Sequence, residues 1–324
     1  DGIQRHRDSN ARSERPLRAD TPTETDTQLQ GSLTGADPKM EEQMQCITTS
    51  PSALILADDC ARAHYYHYTQ KLRRIGLKRN PTLASGTAVA EVSERWIRNC
   101  PGMIPDYDAL IPLVRASLLA QFQQDEDPKV NADKFTPGVL RALQRLPDWL
   151  WTAEWYSEEP LEATFSDGDL DVVVRGRPDL FRFHETGGIP TCSIVEIKTT
   201  DAAPSEYLLW VPQIRIYAAM LQQKCPDYLI AYQYVCVPTA KTADVHLAAE
   251  MVFTAEAVER TRQDILLWAR RLTSTDPRYS RRCTWCEYAP LCMARIAGAD
   301  ENGVRDELYQ TTATRDAKRV DNPD

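Results

Sequence analysis

Two stretches hold the residues best suited to chemistry. In "SIVEIKTT" (193–200) Glu196 and Lys198 are separated by one apolar residue, and in "GRPDLF" (176–181) Asp179 stands 17 residues before that glutamate. Both stretches read as short apolar strands, and alternation puts Glu196 and Lys198 on one face with Ile197 turned away. Carboxylates converging from neighbouring strands make a hard-oxygen site suited to Mg²⁺ or Mn²⁺. A lysine beside them can position an attacking water or stabilise charge on a phosphate. The metal would lower the pKa of the water and neutralise the phosphate charge. An isolated E-x-K is more simply one salt bridge at a strand end. A preceding aspartate on the next strand, with apolar flanks, makes the pattern more specific. Downstream, "QIRIY" sets Gln213 and Tyr217 at i and i+4 on one helical face, able to support the lysine or touch a phosphate. Alone, that pair would be an ordinary helix surface.

The other chemical cluster is "RRCTWCEYAPLC" (281–292), with Cys283, Cys286 and Cys292 in a C-x₂-C-x₅-C spacing. Together with a fourth cysteine, such thiolates suit either Zn²⁺ or an iron–sulfur cluster. A single short C-x₂-C pair is less typical of a zinc ribbon, which uses two. Cys46, Cys100, Cys192, Cys225 and Cys236 read as small buried apolar residues. Nine cysteines in a long chain rich in charge argue for reduced thiols rather than a secreted disulfide framework.

The elements that must position these residues follow from period and punctuation. Residues 1–45 and the stretch after Gly298 are polar and predict flexible tails, with weak helical character at "VRDELYQ". "SPSALILADDCARAHYYHYTQKLRR" predicts one helix capped by Ser50 or Ser52, and further helices are expected at 85–99, 108–123 and 136–148. From about 150 the period changes to that of strands: "WTAEWY", "LEATF", "LDVVVRG", "PDLFRF" and "CSIVEIKT". A helix at 204–223, strands at 228–237 and 245–253, and a helix at 255–272 complete an α/β core around a central mixed sheet.

Of 324 residues, 42% are hydrophobic and 26% charged, the composition of an ordinary globular protein. No apolar run approaches a bilayer span, so no membrane association and a cytoplasmic setting are expected. The net charge of −9 does not exclude a nucleic-acid groove, because the tails are acid-rich. Residues 1–45 carry nine acidic against six basic side chains and 298–324 seven against four, whereas "KLRRIGLKRN" and Arg281–Arg282 are basic runs.

Together "GRPD", "EIK" and "QIRIY" resemble the RecB-like branch of the PD-(D/E)xK nucleases. That branch includes AddB-type subunits and CRISPR-associated RecB-like exonucleases. The resemblance spans roughly residues 50–297. It implies a restriction-endonuclease-like core at 151–275 and a helical region at 46–150, with a cysteine segment at 276–297 and a tail at 298–324. Several relatives hold a [4Fe–4S] cluster on one upstream cysteine and a downstream C-x₂-C-x₅-C group. By that likeness Cys60, in "DDCARAHYY", joins Cys283, Cys286 and Cys292, and the cluster staples the helical region to the C-terminal segment. The resemblance further implies Asp179, Glu196 and the Ile197 carbonyl as metal ligands, Lys198 as the water-positioning group, and DNA, as single strands or ends, as substrate. No G-x-x-x-x-G-K-[ST] occurs, so any unwinding would fall to a helicase or other DNA-processing partner. One position departs from the pattern. Where relatives carry G-x-x-x-H on a helix, "GTAVAEVSE" has Gly86 but Ala90 in place of histidine. Glu94, one turn on, and Glu154 are further acids that could lie near the site, though both also read as solvent-facing. His64 and His67, near Cys60, read as packing or surface residues. A chain of this fold that binds DNA ends without cutting them is the competing expectation, with a zinc-stabilised interaction module a third.

Overall fold

The computed structural model describes residues 45–75, 80–123, 125–200, 212–240, 245–247, 250–279 and 281–311, with only the backbone of 281 and 282. The site rests on two long neighbouring strands, β6 (Leu180–Thr186) and β7 (Ile189–Thr199), which pair antiparallel. β7 then pairs parallel with β8 (Leu229–Val237), the link between them carrying α7 (Pro212–Lys224). Short strands β3 (Tyr156–Ser157), β9 (His246–Leu247) and β10 (Met251–Val252) extend this sheet: among the described residues its order is β10–β8–β7–β6–β3, with β9 also on β8. The sheet is therefore mixed. A second sheet has the order β1–β5–β4, with β1 (Gln45–Thr49) parallel to β5 (Leu170–Gly176) and β4 (Leu161–Asp167) antiparallel to it.

Alternation along β7 and β8 sorts side chains into two cores. Cys192, Ile194, Tyr232, Tyr234 and Cys236 face the apolar side of α7 and of α8 (Ala255–Arg271). Val195, Ile197, Val235 and Val237 face α3 (Pro81–Asn99), α4 (Tyr107–Gln121) and α5 (Pro128–Gln144). The helical region and the sheet thus share a core, because a two-faced apolar strand must be covered on both sides. Asn80 caps α3, Asp106 caps α4 and Asp127 caps α5, each through a side-chain oxygen accepting a backbone N–H.

Several expectations are corrected. The predicted continuous helix from residue 50 breaks at Cys60. Ser50 caps α1 (Pro51–Asp59), Cys60 is extended at φ −165°, and α2 (Ala61–His64) runs into a π-turn at Tyr65–Thr69. After that turn the chain forms β2 (Leu72–Arg74). "WTAEWY" is mostly not a strand: Asp148–Thr152 forms α6, where tryptophan packing overrides β propensity, and only Tyr156 joins β3. The 245–253 strand is two short ones. After α9 (Ala289–Ile296), order also persists past Gly298, as α10 (Glu301–Leu308) and β11 (Tyr309–Thr311), which pairs with β2. Its amphipathic face meets Tyr66 and Leu72, a partner that local polarity does not announce. Gln45 opens a strand rather than ending a tail. The rest of the N-terminal tail and residues 312–324 lie outside the described residues, as do 201–211 of the expected 204–223 helix.

Candidate active site and thiol centre

β6 and β7 separate where Asp179 precedes Leu180, and the acids meet in that gap. Glu196 is 2% exposed on β7, and the Lys198 ammonium donates to its Oε1. Asp179, half-buried in the link before β6, takes the Ile197 backbone N–H on its carboxylate. Its carboxyl is pushed up to about 7 by burial and then by Glu196, with Lys198 and the Ile197 bond pulling the other way. Burial alone would lower Lys198, but Glu196 and Asp179 outweigh it and hold the ammonium charged. The Ile197 side chain points into the opposite core, so only its backbone serves the site.

Two further acids join them. Glu94, 6% exposed on α3, is raised to about 9 by burial, by Asp179 and by Glu158, with which it shares a hydrogen bond. Glu158 follows β3 with φ +50°, a conformation uncommon for a side-chain-bearing residue, and its N–H donates to the Asp179 carbonyl at 3.3 Å. Glu158 went unremarked in the sequence, where nothing distinguishes it from the loop acid beside it. Glu94 was legible only as one turn beyond Ala90. Glu154, by contrast, is exposed in the turn before β3 and is not among the groups acting on Asp179.

Helix α3 is held close to β7 by Gly86: a Cβ there would stand 2.5 Å from Thr199 Oγ1. Gly86, Ala90 and Glu94 recur at i+4, so residue 90 lies on the face that runs from Thr199 towards Asp179. Gln213 and Tyr217 support the site indirectly. Tyr217 donates to the Arg177 carbonyl at 2.8 Å and accepts from Gln213, fixing the link that carries Asp179. Gly176 makes room for this ring, since a Cβ would come within 2.8 Å of Tyr217 Cε1 and 3.0 Å of Pro51 Cδ.

Cys60, Cys283, Cys286 and Cys292 line one cavity of about 560 Å³, with Leu56, Ala63 and Tyr288 among its apolar walls. The Arg278 N–H donates to Cys60 Sγ at 3.5 Å. Burial raises the Cys286 thiol, with Cys60 and Cys283 pushing the same way, and raises Cys292, with Cys286 and Cys60 doing likewise. The segments also meet without any metal: Asp58 pairs with Arg271 and Arg278, Tyr66 donates to Glu301 at 2.6 Å, and Tyr288 donates to the Leu72 carbonyl at 3.1 Å. Among the described residues no three His, Cys, Asp or Glu side chains form a ready-made ion cage. Of the other cysteines, Cys192 and Cys236 are buried as expected, but Cys46 is exposed and Cys100 and Cys225 are only half-buried. His64 stacks on Tyr68, and His67 engages Tyr288, Arg73 and Glu287.

Glu196 and Lys198 on β7, Asp179 just ahead of β6 and Glu94 on α3, which acts on Asp179, thus gather at one end of the mixed sheet. The chain belongs to the PD-(D/E)XK nuclease superfamily, whose family model matches residues 48–293. Solved structures resembling it include SSO0001, at TM-score 0.30 and 15% identity, over 66% of this chain and 85% of that one. Another is a protein of Eubacterium rectale inferred to be an exonuclease, at TM-score 0.38 and 9% identity, over 80% and 94%. No curated protein matches the chain. Among the described residues no helix is long and apolar enough to cross a membrane.

Proposed function

We propose that this nuclease-superfamily chain is a Mg²⁺- or Mn²⁺-dependent deoxyribonuclease that digests DNA from single-stranded ends and carries a [4Fe–4S] cluster. The observation that carries the catalytic reading is the grouping of Asp179 with Glu196 and Lys198 at the end of β6, with Glu94 acting on Asp179 from α3. Burial, and after it the neighbouring acids, makes ionising Asp179 and Glu94 unfavourable in the chain alone, and a hard cation would offset that cost. Asp179, Glu196 and the Ile197 carbonyl supply oxygens, and Glu94 supplies a further one from α3. A divalent ion bound there would neutralise the phosphate and acidify its water. Lys198, released from Glu196, then holds the attacking water by hydrogen bonding and places positive charge beside the phosphate. Tyr217 and Gln213 keep the Asp179 link in place.

The donor set of the second centre fits a four-thiolate group: four soft sulfurs on one cavity, one of them accepting a backbone N–H as cluster sulfurs do. Its proposed role is to tie the 46–150 region to the 276–297 segment around a 151–275 nuclease core, as in the AddB-type and CRISPR-associated nucleases that the motifs resemble, with a helicase as a candidate partner. Comparing linear with circular single-stranded DNA, and each with duplex, tests the end requirement: circles cut as fast as linear strands would refute it. Ala90 favours a second reading, a chain that binds DNA ends and turns over poorly. Strong DNA binding with no cleavage in either metal would support that one.

A further inference from the structure

Among the described residues β3 pairs with β6 only at Leu180 and Phe181, so from Arg182 onwards β6 is an open edge of the sheet. A group of aromatic rings gathers beside that edge. Phe181, 4% exposed, is its floor, and Tyr156 stacks on it with 5.1 Å between centroids and 16° between planes. Phe183 meets Phe181 edge-on at 5.9 Å and lies 5.8 Å from Tyr156, while Tyr228, just ahead of β8, closes the group at 5.1 Å from Phe183. Cross-strand aromatic pairs steady a sheet, but that role is served best by covered rings. Here Tyr156 is 50% and Phe183 38% exposed. The rings also adjoin the acids. Phe181 pairs with Ile194, which shares its face of β7 with Glu196 and Lys198. Phe183 stands four residues after Asp179, about 13 Å along an extended chain. Tyr156 stands two residues before Glu158, whose N–H donates to the Asp179 carbonyl.

We propose that Tyr156 and Phe183 stack the bases of the strand being cut, so that the open edge of β6 is the track along which single-stranded DNA lies as it leaves the acids. This rests on the reading of the acids as a cleavage site and deepens it by naming what holds the substrate beside them. Charge alone does not mark the track. Arg98 donates to the Ser157 carbonyl at 3.4 Å and pairs with Glu158, and Arg177 is exposed just ahead of Asp179. Exposed Glu154, Glu159 and Glu185 offset these cations. What the edge offers is aromatic surface continuous with the site. Every base has a π-face, so such a platform accepts any sequence, but only bases freed from a duplex can reach it. The occupant that fits is therefore a single strand.

The test uses the full chain as parent, Tyr156→Leu, Phe183→Leu and Tyr156→Phe, with Leu keeping apolar bulk but no π-face. Binding is measured by fluorescence anisotropy in chelator, where cleavage plays no part, and KM and kcat are measured in Mg²⁺ and Mn²⁺. The probes are a single strand of mixed sequence, a strand of the same length built of abasic nucleotides, and the matching duplex. The parent is expected to favour the base-bearing strand over the abasic one. Each Leu variant is expected to bind the base-bearing strand at least about tenfold more weakly, raising KM with kcat within about twofold. On the abasic strand and the duplex the Leu variants should match the parent, and Tyr156→Phe should match it throughout. Leu variants that bind the base-bearing strand as the parent does overturn the inference. Equal weakening on the base-bearing and abasic strands makes the rings merely structural, and the inference fails. It fails too if the parent binds those two strands alike, or binds neither. A parent that shows the stacking preference yet cuts nothing in either metal refutes the nuclease reading and leaves the stacking platform standing.

Discussion

Asp179 and Glu94 make the acidic site detectable without any substrate. Their carboxyls are raised in the folded chain, to about 7 and about 9, from ordinary values of 3.8 and 4.5. Below those ordinary values the folded and unfolded chains are both protonated and no penalty applies. As pH rises through each interval the unfolded chain ionises first, so stability is lost, and the loss levels off only above the raised value. Metal-free protein is therefore expected to melt at lower temperature as pH climbs from about 4 to about 9. Asp179→Asn and Glu94→Gln should each flatten part of that slope, and Mg²⁺ or Mn²⁺ should restore the parent most at high pH. Thermal melts across pH with and without metal check it; identical slopes in the parent and both variants would remove the basis for the raised carboxyls. At position 90, Ala90→His adds a nitrogen on the face between Thr199 and Asp179. It is expected to raise cleavage in Mn²⁺ about tenfold, whereas Ala90→Leu is not. Cleavage titrated against Mn²⁺ for the three proteins decides between a vacant ligand position and plain packing.

At the scale of elements, what was legible followed from period. The nearness of Asp179, just ahead of β6, to Glu196 on β7 followed from reading both stretches as neighbouring strands, and the helical placement of Gln213 and Tyr217 from i+4 spacing. Glu158 was not legible, because its place depends on β3 pairing at the sheet edge and on a positive φ that no residue type there announces. The break at Cys60 was hidden for a similar reason: the local sequence favours helix through it, and the contacts that turn the chain come from the far C-terminal segment. Two glycines carry testable element-level roles. Gly176→Ala should cost about 1–3 kcal/mol, the usual range for overpacking. It should also slow cleavage, since its Cβ displaces the ring whose hydroxyl holds the Arg177 carbonyl. Gly86→Ala should push α3 off Thr199, carrying Glu94 away from Asp179. Denaturant unfolding and cleavage rates measured on both variants check this, and unchanged values for both would mean that these close approaches do not matter to the site.

Among the described residues the sheet is covered on both faces, and the C-terminal segment packs against α1 and α2. The β2–β11 pair, the Tyr66–Glu301 bond and the Asp58 ion pairs already close the C-terminal segment onto α1 and α2. Cys60→Ser is accordingly expected to abolish loading of the thiol centre and lower the melting temperature without unfolding the chain. Iron and sulfide analysis beside circular dichroism would show it. Full iron content in Cys60→Ser would remove Cys60 from the centre. Overall charge and fold class were readable from composition and element order, whereas the ordered segment past Gly298 was not, because it packs partly on Ala63, Tyr66 and Leu72, more than 200 residues upstream, besides the nearer Tyr288 and Leu291.

The central claim is that the carboxylates gathered at the gap between β6 and β7 cut DNA with a divalent metal. Its most direct test is cleavage of an end-labelled single strand by the parent chain, Asp179→Asn, Glu196→Gln and Lys198→Ala, in Mg²⁺, in Mn²⁺ and in chelator. The account predicts cleavage by the parent in metal only, at least about a hundredfold loss in each variant, and DNA binding retained by all. Undiminished cleavage by the three variants, or cleavage that persists in chelator, would contradict it.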